Sequence, residues 1–211
     1  MNFTIMKINA VISTDIIKKE KITENKISII NFSVLASAIV CGTLLYVFLK
    51  DYFADGIFKS FTSFFSDFSN KTNLEIISGI ALSHLPYILL MMILGTSACG
   101  CAIIVIISFI KVAGLGILAA YFYSSFALKG IEYALLVFFP GKFVLILSVL
   151  FMMHFCTNNS LNIKSLIKGE CRAENMDSLY NLKSVIAILL FILSSAIDGF
   201  TVVSFSSLFA F

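Results

Sequence analysis

The sequence predicts an all-α fold: a polytopic membrane helical bundle of about five transmembrane helices, with an amphipathic helix at the external membrane interface. Three observations support this class. Hydrophobic residues make up 59% of the chain and charged residues 13%, against roughly 25% charged residues in soluble domains. The stretch from Ile76 to Leu128 carries one formal charge, that of Lys111. Three further apolar runs are long enough to cross roughly 30 Å of hydrocarbon, which takes about 20 helical residues.

The first helix is predicted at residues 27–49, an uncharged apolar run that follows Lys26 and precedes Lys50. A cleaved signal peptide is not expected, because its apolar region would be shorter and closer to the amino terminus. Residues 1–26 form a mostly polar segment. Residues 27–211 are expected to form a single membrane domain with no separate soluble module.

Turns of small residues separate the next three helices. The segment from Gly95 to Gly100 predicts a turn between helices at residues 76–94 and 101–126. A second turn from Ala127 to Gly130 leads into a helix at residues 131–155, and the last helix is predicted at residues 184–209. Residues 101–126 remain open to a second interpretation, two half-helices folded back at Lys111.

The distribution of lysine and arginine predicts the orientation, because cytoplasmic loops carry the excess of these residues. Nine cations fall in the amino-terminal segment, residues 1–26, and in the loop at residues 156–183: Lys7, Lys18, Lys19, Lys21, Lys26, Lys164, Lys168, Arg172 and Lys183. The opposite side has four: Lys50, Lys59, Lys71 and Lys129. We therefore expect a cell-membrane protein with a cytoplasmic amino terminus, a cytoplasmic loop at residues 156–183 and an external carboxyl terminus.

The external loop at residues 50–75 is predicted to contain an amphipathic helix, because its apolar residues recur at steps of three and four. The candidates for binding an external partner are Phe53, Ile57, Phe61, Phe64 and Phe68. The same pattern is typical of a helix that lies in the outer headgroup layer of the bilayer. A docking face for a partner is the alternative, and both interpretations remain open.

The residues that most often carry chemistry form no catalytic or metal-binding pattern, so we expect no enzyme activity, no metal and no cofactor. Cys99 and Cys101 are separated by one residue, whereas tetrahedral zinc sites use about two to four. His84 and His154 have no Cys or carboxylate close in sequence and are interpreted as packed or interfacial residues. No disulfide is expected among Cys41, Cys99, Cys101, Cys156 and Cys171. The basic residues are not interleaved with aromatics, which excludes nucleic acid as a partner.

Three charged side chains lie near the middle of predicted helices: Lys111, Lys142 and Asp198. An unpaired charge in hydrocarbon costs on the order of a few kcal/mol or more, so we expect an intramembrane polar cluster that faces the bundle. Depth matching pairs Asp198 with one of the lysines. Pro140 and Gly141 directly precede Lys142 and predict a helix break, which is tolerated at membrane depth only inside protein or beside a cavity.

Two functions are compatible with this polar cluster. The first is a structural latch that holds the helices in register. The second is a pathway for an ion or a small solute, as in transporters that combine intramembrane charge with a discontinuous helix. The sequence shows no convincing inverted repeat and only five predicted spans, which favours the latch.

Small residues spaced four apart predict close helix–helix contacts. One ladder in the third helix consists of Gly116, Ala120 and Ser124. A second ladder in the last helix consists of Ser195 and Gly199. We interpret both as packing surfaces within one chain, with a homo-oligomer contact as the alternative.

Three motifs follow one another from the third helix onward. They are Phe109-Ile-Lys-Val-Ala-Gly114-Leu-Gly116, a short turn that ends Lys129-Gly130, and Phe139-Pro140-Gly141-Lys142. This order of a basic residue with spaced glycines, a glycine turn and a proline inside the next span resembles the stage II sporulation protein M family. The chain length and a first helix separated from the rest by an external loop are also similar to that family.

The resemblance implies an integral membrane component of the engulfment machinery of spore-forming bacteria. Members of that family hold secreted peptidoglycan-degrading enzymes at the septal membrane, which implies a scaffold that anchors or recruits such enzymes. The implied partners are the lipid bilayer and membrane-anchored or secreted cell-wall hydrolases. The alternative function is a small transporter or permease subunit that uses the cluster of Lys111, Lys142 and Asp198.

Overall fold

The structure is a computed structural model that describes residues 26–52, 56–57, 59, 72–169 and 180–205. Within these residues the fold consists of helices and short turns and contains no strand. Five helices are long and apolar enough to cross a membrane, which confirms the predicted all-α polytopic bundle. They are α1 (Lys26–Phe48), α2 (Asn73–Gly95), α3 (Gly100–Tyr133), α4 (Phe139–Ile167) and α5 (Tyr180–Phe205), with a π-helical turn at Ala134–Phe138 between α3 and α4.

The start of α2 is set by a capping box formed by Thr72 and Glu75. Thr72 Oγ1 accepts a hydrogen bond from the Glu75 backbone N–H at 3.4 Å, and the Glu75 carboxylate accepts one from the Thr72 N–H at 2.8 Å. Amides at a helix start have no partner within the helix, and this pair of bonds supplies one to each of two amides. The helix therefore begins at Asn73, a few residues before the apolar run itself.

The third span is a single crossing. α3 continues without interruption through Lys111, so residues 101–126 do not form two half-helices. The chain then reverses near Ala127: the third span is Gly100–Phe126, and the last residues of α3 already belong to the fourth span, Leu128–Ile167. A side-chain carbon on Gly130 would overlap the carbonyl oxygen of Phe122, whereas a straight helix would separate these residues by about 12 Å. Glycine at position 130 permits this tight reversal.

The fourth helix extends to Ile167, well beyond the expected end at residue 155, so the loop expected at residues 156–183 begins later. Polar residues of the extension contact the turn between α2 and α3. Asn159 Nδ2 donates to the Gly95 carbonyl at 2.8 Å, and Ser160 Oγ donates to the Ser97 carbonyl at 2.7 Å. Carbonyls at a helix end and in the following turn have no partner within the helix. Asn159 and Ser160, whose residue types are common in loops, supply those partners from within α4. The helix therefore continues past residue 155.

The small-residue ladder of α3 packs against α1 within the chain. A side-chain carbon on Gly116 would overlap the Ile39 carbonyl of α1. Ala120 is buried, and Ser124 Oγ donates to the Tyr46 hydroxyl at 3.0 Å. These contacts join the two backbones closely, as small residues allow in membrane bundles.

The last helix, α5, packs against α2 and α4. Gly199 of the second ladder lies directly against the Ile77 side chain of α2. The buried apolar core that joins the helices includes Leu35, Met91, Ile104, Val112, Val149, Met152 and Phe191. Because α5 packs against both α2 and α4, its polar residues lie inside the bundle.

Candidate functional site

An ion pair joins α4 and α5 inside the bundle. Lys142 Nζ donates a hydrogen bond to Asp198 Oδ2 at 2.5 Å, and the Asp198 side chain is only 5% exposed. Gly141 permits this approach, because a side-chain carbon at that position would overlap the Asp198 carboxylate. Pairing offsets part of the free energy needed to place either charge in an apolar environment. The structure thus brings two of the three predicted cluster residues into direct contact.

The third of these residues, Lys111, lies outside the ion pair. Its Nζ lies 5.8 Å from the ring centroid of Tyr87, a distance at which an aromatic face attracts a cation. The Tyr87 and Ser108 hydroxyls share a hydrogen bond at 3.1 Å. The Tyr87 ring in turn lies 5.7 Å, centroid to centroid, from the Phe191 ring of α5. The predicted cluster is therefore an ion pair with a second lysine nearby.

The helix break predicted at Pro140 and Gly141 is a π-helical turn followed by continuous helix. The π turn covers Ala134–Phe138, and Pro140 lies in the first turn of α4. Proline has no N–H donor, and in a regular α-helix its ring clashes with the carbonyl four residues earlier. A π turn widens the backbone locally, so the chain absorbs Pro140 without unwinding.

Hydroxyl groups of α5 bind carbonyls on either side of Pro140. Ser194 Oγ donates to the Gly141 carbonyl at 2.9 Å. Thr201 Oγ1 lies 2.9 Å from the Val137 carbonyl and 3.0 Å from the Ile197 and Asp198 carbonyls of its own helix, so its single O–H is shared among these acceptors. Both hydroxyl-bearing residues are buried. These contacts attach α5 to the irregular part of the preceding helix, above and below the ion pair.

Sequence reasoning missed Ser194 and Thr201, although a signal was present. With Asp198 between them, they recur at intervals of four and three residues, which places all three on one face of α5. A polar stripe of this spacing inside an apolar span indicates the face that meets other helices. Its partners could not be identified from spacing, because the π turn changes which carbonyls are available.

The two histidines have different surroundings. His84 is 5% exposed, and its ring centroid lies 5.8 Å from that of Phe191. Neither ring nitrogen of His84 has a hydrogen-bond partner among the described residues. His154 Nε2, by contrast, hydrogen bonds to the Asn158 amide at 3.1 Å. Within the described part of the chain, no three His, Cys, Asp or Glu side chains are grouped as a metal site requires.

The structure describes Ile57 alone of the five predicted partner-binding residues. Ile57 is partly buried and packs against an aromatic cluster that includes Tyr46, Tyr121, Phe122 and Tyr133. It therefore contacts the bundle. Phe53, Phe61, Phe64 and Phe68 lie outside the described residues, and their role as a docking face stays a prediction.

Comparison with known proteins identifies the family. The family model for stage II sporulation protein M matches residues 25–202, which include α1 to α4 and most of α5. No curated protein and no solved structure is significantly similar to this chain. The matched region contains the three motifs noted above, the π turn and the ion pair. Because the match covers well over half of the sequence, the chain belongs to the stage II sporulation protein M family.

Proposed function

We propose that this protein is a membrane scaffold of the sporulation engulfment machinery, which anchors or recruits peptidoglycan-degrading enzymes at the septal membrane. Family membership and five apolar helices make it a sporulation-related multi-pass membrane protein. Recruitment of hydrolases is what we propose beyond this family membership. The observation that carries it is that the polar groups of α4 and α5 bind one another across the bundle.

These contacts support a structural role for the spans. Asp198 pairs with Lys142, while Ser194 and Thr201 bind carbonyls of the neighbouring helix. Such contacts hold α4 and α5 in one register and favour a rigid platform. A transport pathway would instead require these groups to exchange partners with a passing ion or solute.

The segment between α1 and α2 is the surface that we assign to the partner. It is the longest connection between successive spans. Ile57, within this segment, packs on the bundle. In the orientation predicted by the lysine distribution the segment is external, on the side to which hydrolases are secreted.

Retention of a cell-wall hydrolase tests the proposal. The tagged full-length protein is purified in mild detergent from sporulating cells, and peptidoglycan hydrolysis by the eluate is measured. We expect the unaltered protein to retain hydrolase activity. We expect the double variant Phe61→Asp/Phe64→Asp to retain at least about tenfold less hydrolase activity. Two charged side chains in an apolar interface would disrupt the part of the contact from which water is excluded.

The matched control is Phe61→Leu/Phe64→Leu, which keeps the apolar face and is expected to retain the hydrolase. Failure of the unaltered protein to retain any hydrolase contradicts the scaffold role. Equal retention by the Asp and Leu variants, at equal amounts in the membrane, contradicts the assignment of this segment as the docking surface.

A further inference from the structure

A cavity lies in one half of the bundle, at the end where α1 stops and α2 starts. Its volume is about 680 Å³, within the range of roughly 300–1,000 Å³ typical of small-molecule sites. Three of its lining residues are glycines: Gly56, Gly79 and Gly114. A side-chain carbon on Gly79 or Gly114 would have no packing partner within 4 Å among the described residues. By contrast, Gly116 and Gly141 each abut a neighbouring helix, so the space in front of Gly79 and Gly114 is not needed for helix contact.

The walls of this cavity differ in polarity. His84, Lys142 and Asp198 form a polar wall that joins α2, α4 and α5. Most of the remaining surface is apolar and includes Ile80, Ile117, Leu118, Val137, Phe138 and Val202. A polar wall within an otherwise apolar cavity matches a ligand with one polar end and a hydrocarbon chain.

His84 indicates what the polar wall lacks. The side chain is buried, yet neither ring nitrogen has a hydrogen-bond partner among the described residues. Buried polar atoms in proteins are almost always hydrogen-bonded, and an unsatisfied one calls for an explanation. His84 lines the cavity, but both nitrogens are shielded from water there, so the ring would have to turn for a bound head group to supply the missing partner.

The charges around the polar wall favour an anion. Lys142 is paired with Asp198, and an ammonium group has three N–H donors, so Lys142 can bind a second acceptor. Lys111 adds another positive charge nearby: it lies over the Tyr87 ring, and Tyr87 and His84 both contact the Phe191 ring. Among the described residues no carboxylate forms an ion pair with Lys111. At this depth two lysines therefore stand against one aspartate, and an anionic head would balance the excess.

From these contacts we infer that the cavity binds a single-chain amphiphile with an anionic head, which lies against His84 and Lys142 while its hydrocarbon chain follows the apolar walls. A fatty-acid carboxylate and a lysophospholipid phosphate share this chemistry. The inference does not depend on the scaffold role, because binding is measured on purified protein without any hydrolase.

Photolabelling of the full-length protein in nanodiscs of zwitterionic phosphatidylcholine tests the site. The probe is oleate that carries a photoreactive diazirine, and labelled peptides are identified by mass spectrometry. We expect labels on the cavity-lining parts of α2 and α3. Oleate or oleoyl lysophosphatidate should compete with the probe at least about tenfold better than oleyl alcohol, which has no charge. The stronger competitor of the two anions identifies the source of the head group.

Two variants fill the cavity from two different helices. Gly114→Leu and Gly79→Leu each project a side chain into open space, and each is expected to reduce specific labelling at least about tenfold. The matched control is Ala119→Leu, on the exposed surface of α3, which is expected to label as the unaltered protein does. Because the two glycines lie on different helices, failure of one variant to fold leaves the other as a test.

Two results would overturn the inference. One is equal competition by oleyl alcohol and the two anions, since it would remove the role of the positive charge. The other is undiminished labelling in a folded Gly114→Leu or Gly79→Leu variant, since it would place the probe on the lipid-facing surface.

Discussion

The ion pair between Lys142 and Asp198 shows how an apolar bundle accommodates two charged side chains. Each side chain is the counter-ion of the other. They can approach because Gly141 has no side chain that would overlap the Asp198 carboxylate. A buried ion pair contributes little net stability compared with apolar residues of the same shape, but each half depends strongly on the other. The pair therefore specifies which faces of α4 and α5 meet.

Removal of one charge should be more harmful than removal of both. We predict that Asp198→Asn lowers the free energy of unfolding by about 3 kcal/mol, because Lys142 is left without its counter-ion. The double variant Lys142→Met/Asp198→Asn should recover most of that loss. Thermal unfolding in detergent, followed by fluorescence-detected size exclusion, measures both variants.

The control for this comparison is Lys168→Met, an exposed lysine at the end of α4, which should change stability by less than about 0.5 kcal/mol. Equal losses in the single and double variants would show that hydrogen-bond geometry, and not charge balance, holds the two helices together.

Whole helices are recognised from apolar runs, but their ends depend on polar contacts. The run at residues 27–49 and α1 at Lys26–Phe48 nearly coincide, because lysines flank it on both sides. The predicted end of α4 is wrong because Asn159 and Ser160 have the composition of a loop. Their partners belong to the turn between α2 and α3, more than sixty residues earlier in the chain. Local composition carries no information on such a partner.

The π turn before α4 gives a second prediction at the level of the helix. Thr201→Val keeps the shape of the side chain but removes the donor to the Val137 carbonyl. We expect a loss of about 1 kcal/mol in the free energy of unfolding, as for other hydrogen bonds between membrane helices. Denaturation by increasing SDS in mixed micelles measures this loss.

Thr96→Val is the matched control, because Thr96 is exposed and its hydroxyl bonds to the Ile93 carbonyl within its own turn. Its effect should stay below about 0.5 kcal/mol. If both variants lose the same amount, the π turn is held by α4 itself and not by α5.

At the scale of the whole bundle, the described residues form five spans, and successive spans cross the membrane in opposite directions. The cavity and the segment after α1 therefore lie at the same end of the bundle. Which end faces the cytoplasm depends on the distribution of lysine and arginine in the connections. Helix packing does not decide it, because the bundle has the same internal contacts in either orientation.

The native Cys171 provides a test of orientation. In a variant whose other four cysteines are replaced by alanine, we predict that a membrane-impermeant maleimide labels Cys171 only after the cells are permeabilised. The control is Ser69→Cys in a background without other cysteines, which should be labelled in intact cells. The physical reason is that the connection with Cys171 follows a helix end rich in lysine, and the excess of lysine predicts that this connection stays in the cytoplasm. Labelling of Cys171 in intact cells would invert the topology.

By itself, the sequence determined that lipid surrounds this protein and that five helices cross it. Both properties follow from sums of transfer free energies over contiguous residues, which can be evaluated along the chain without knowledge of the fold. Only the tertiary structure decided that Lys142, and not Lys111, pairs with Asp198. It also decided that α5 hydroxyls bind the carbonyls around Pro140 and that His84 lines a cavity. These features depend on contacts between distant positions, such as the ion pair across 56 residues, and such contacts exist only once the helices pack.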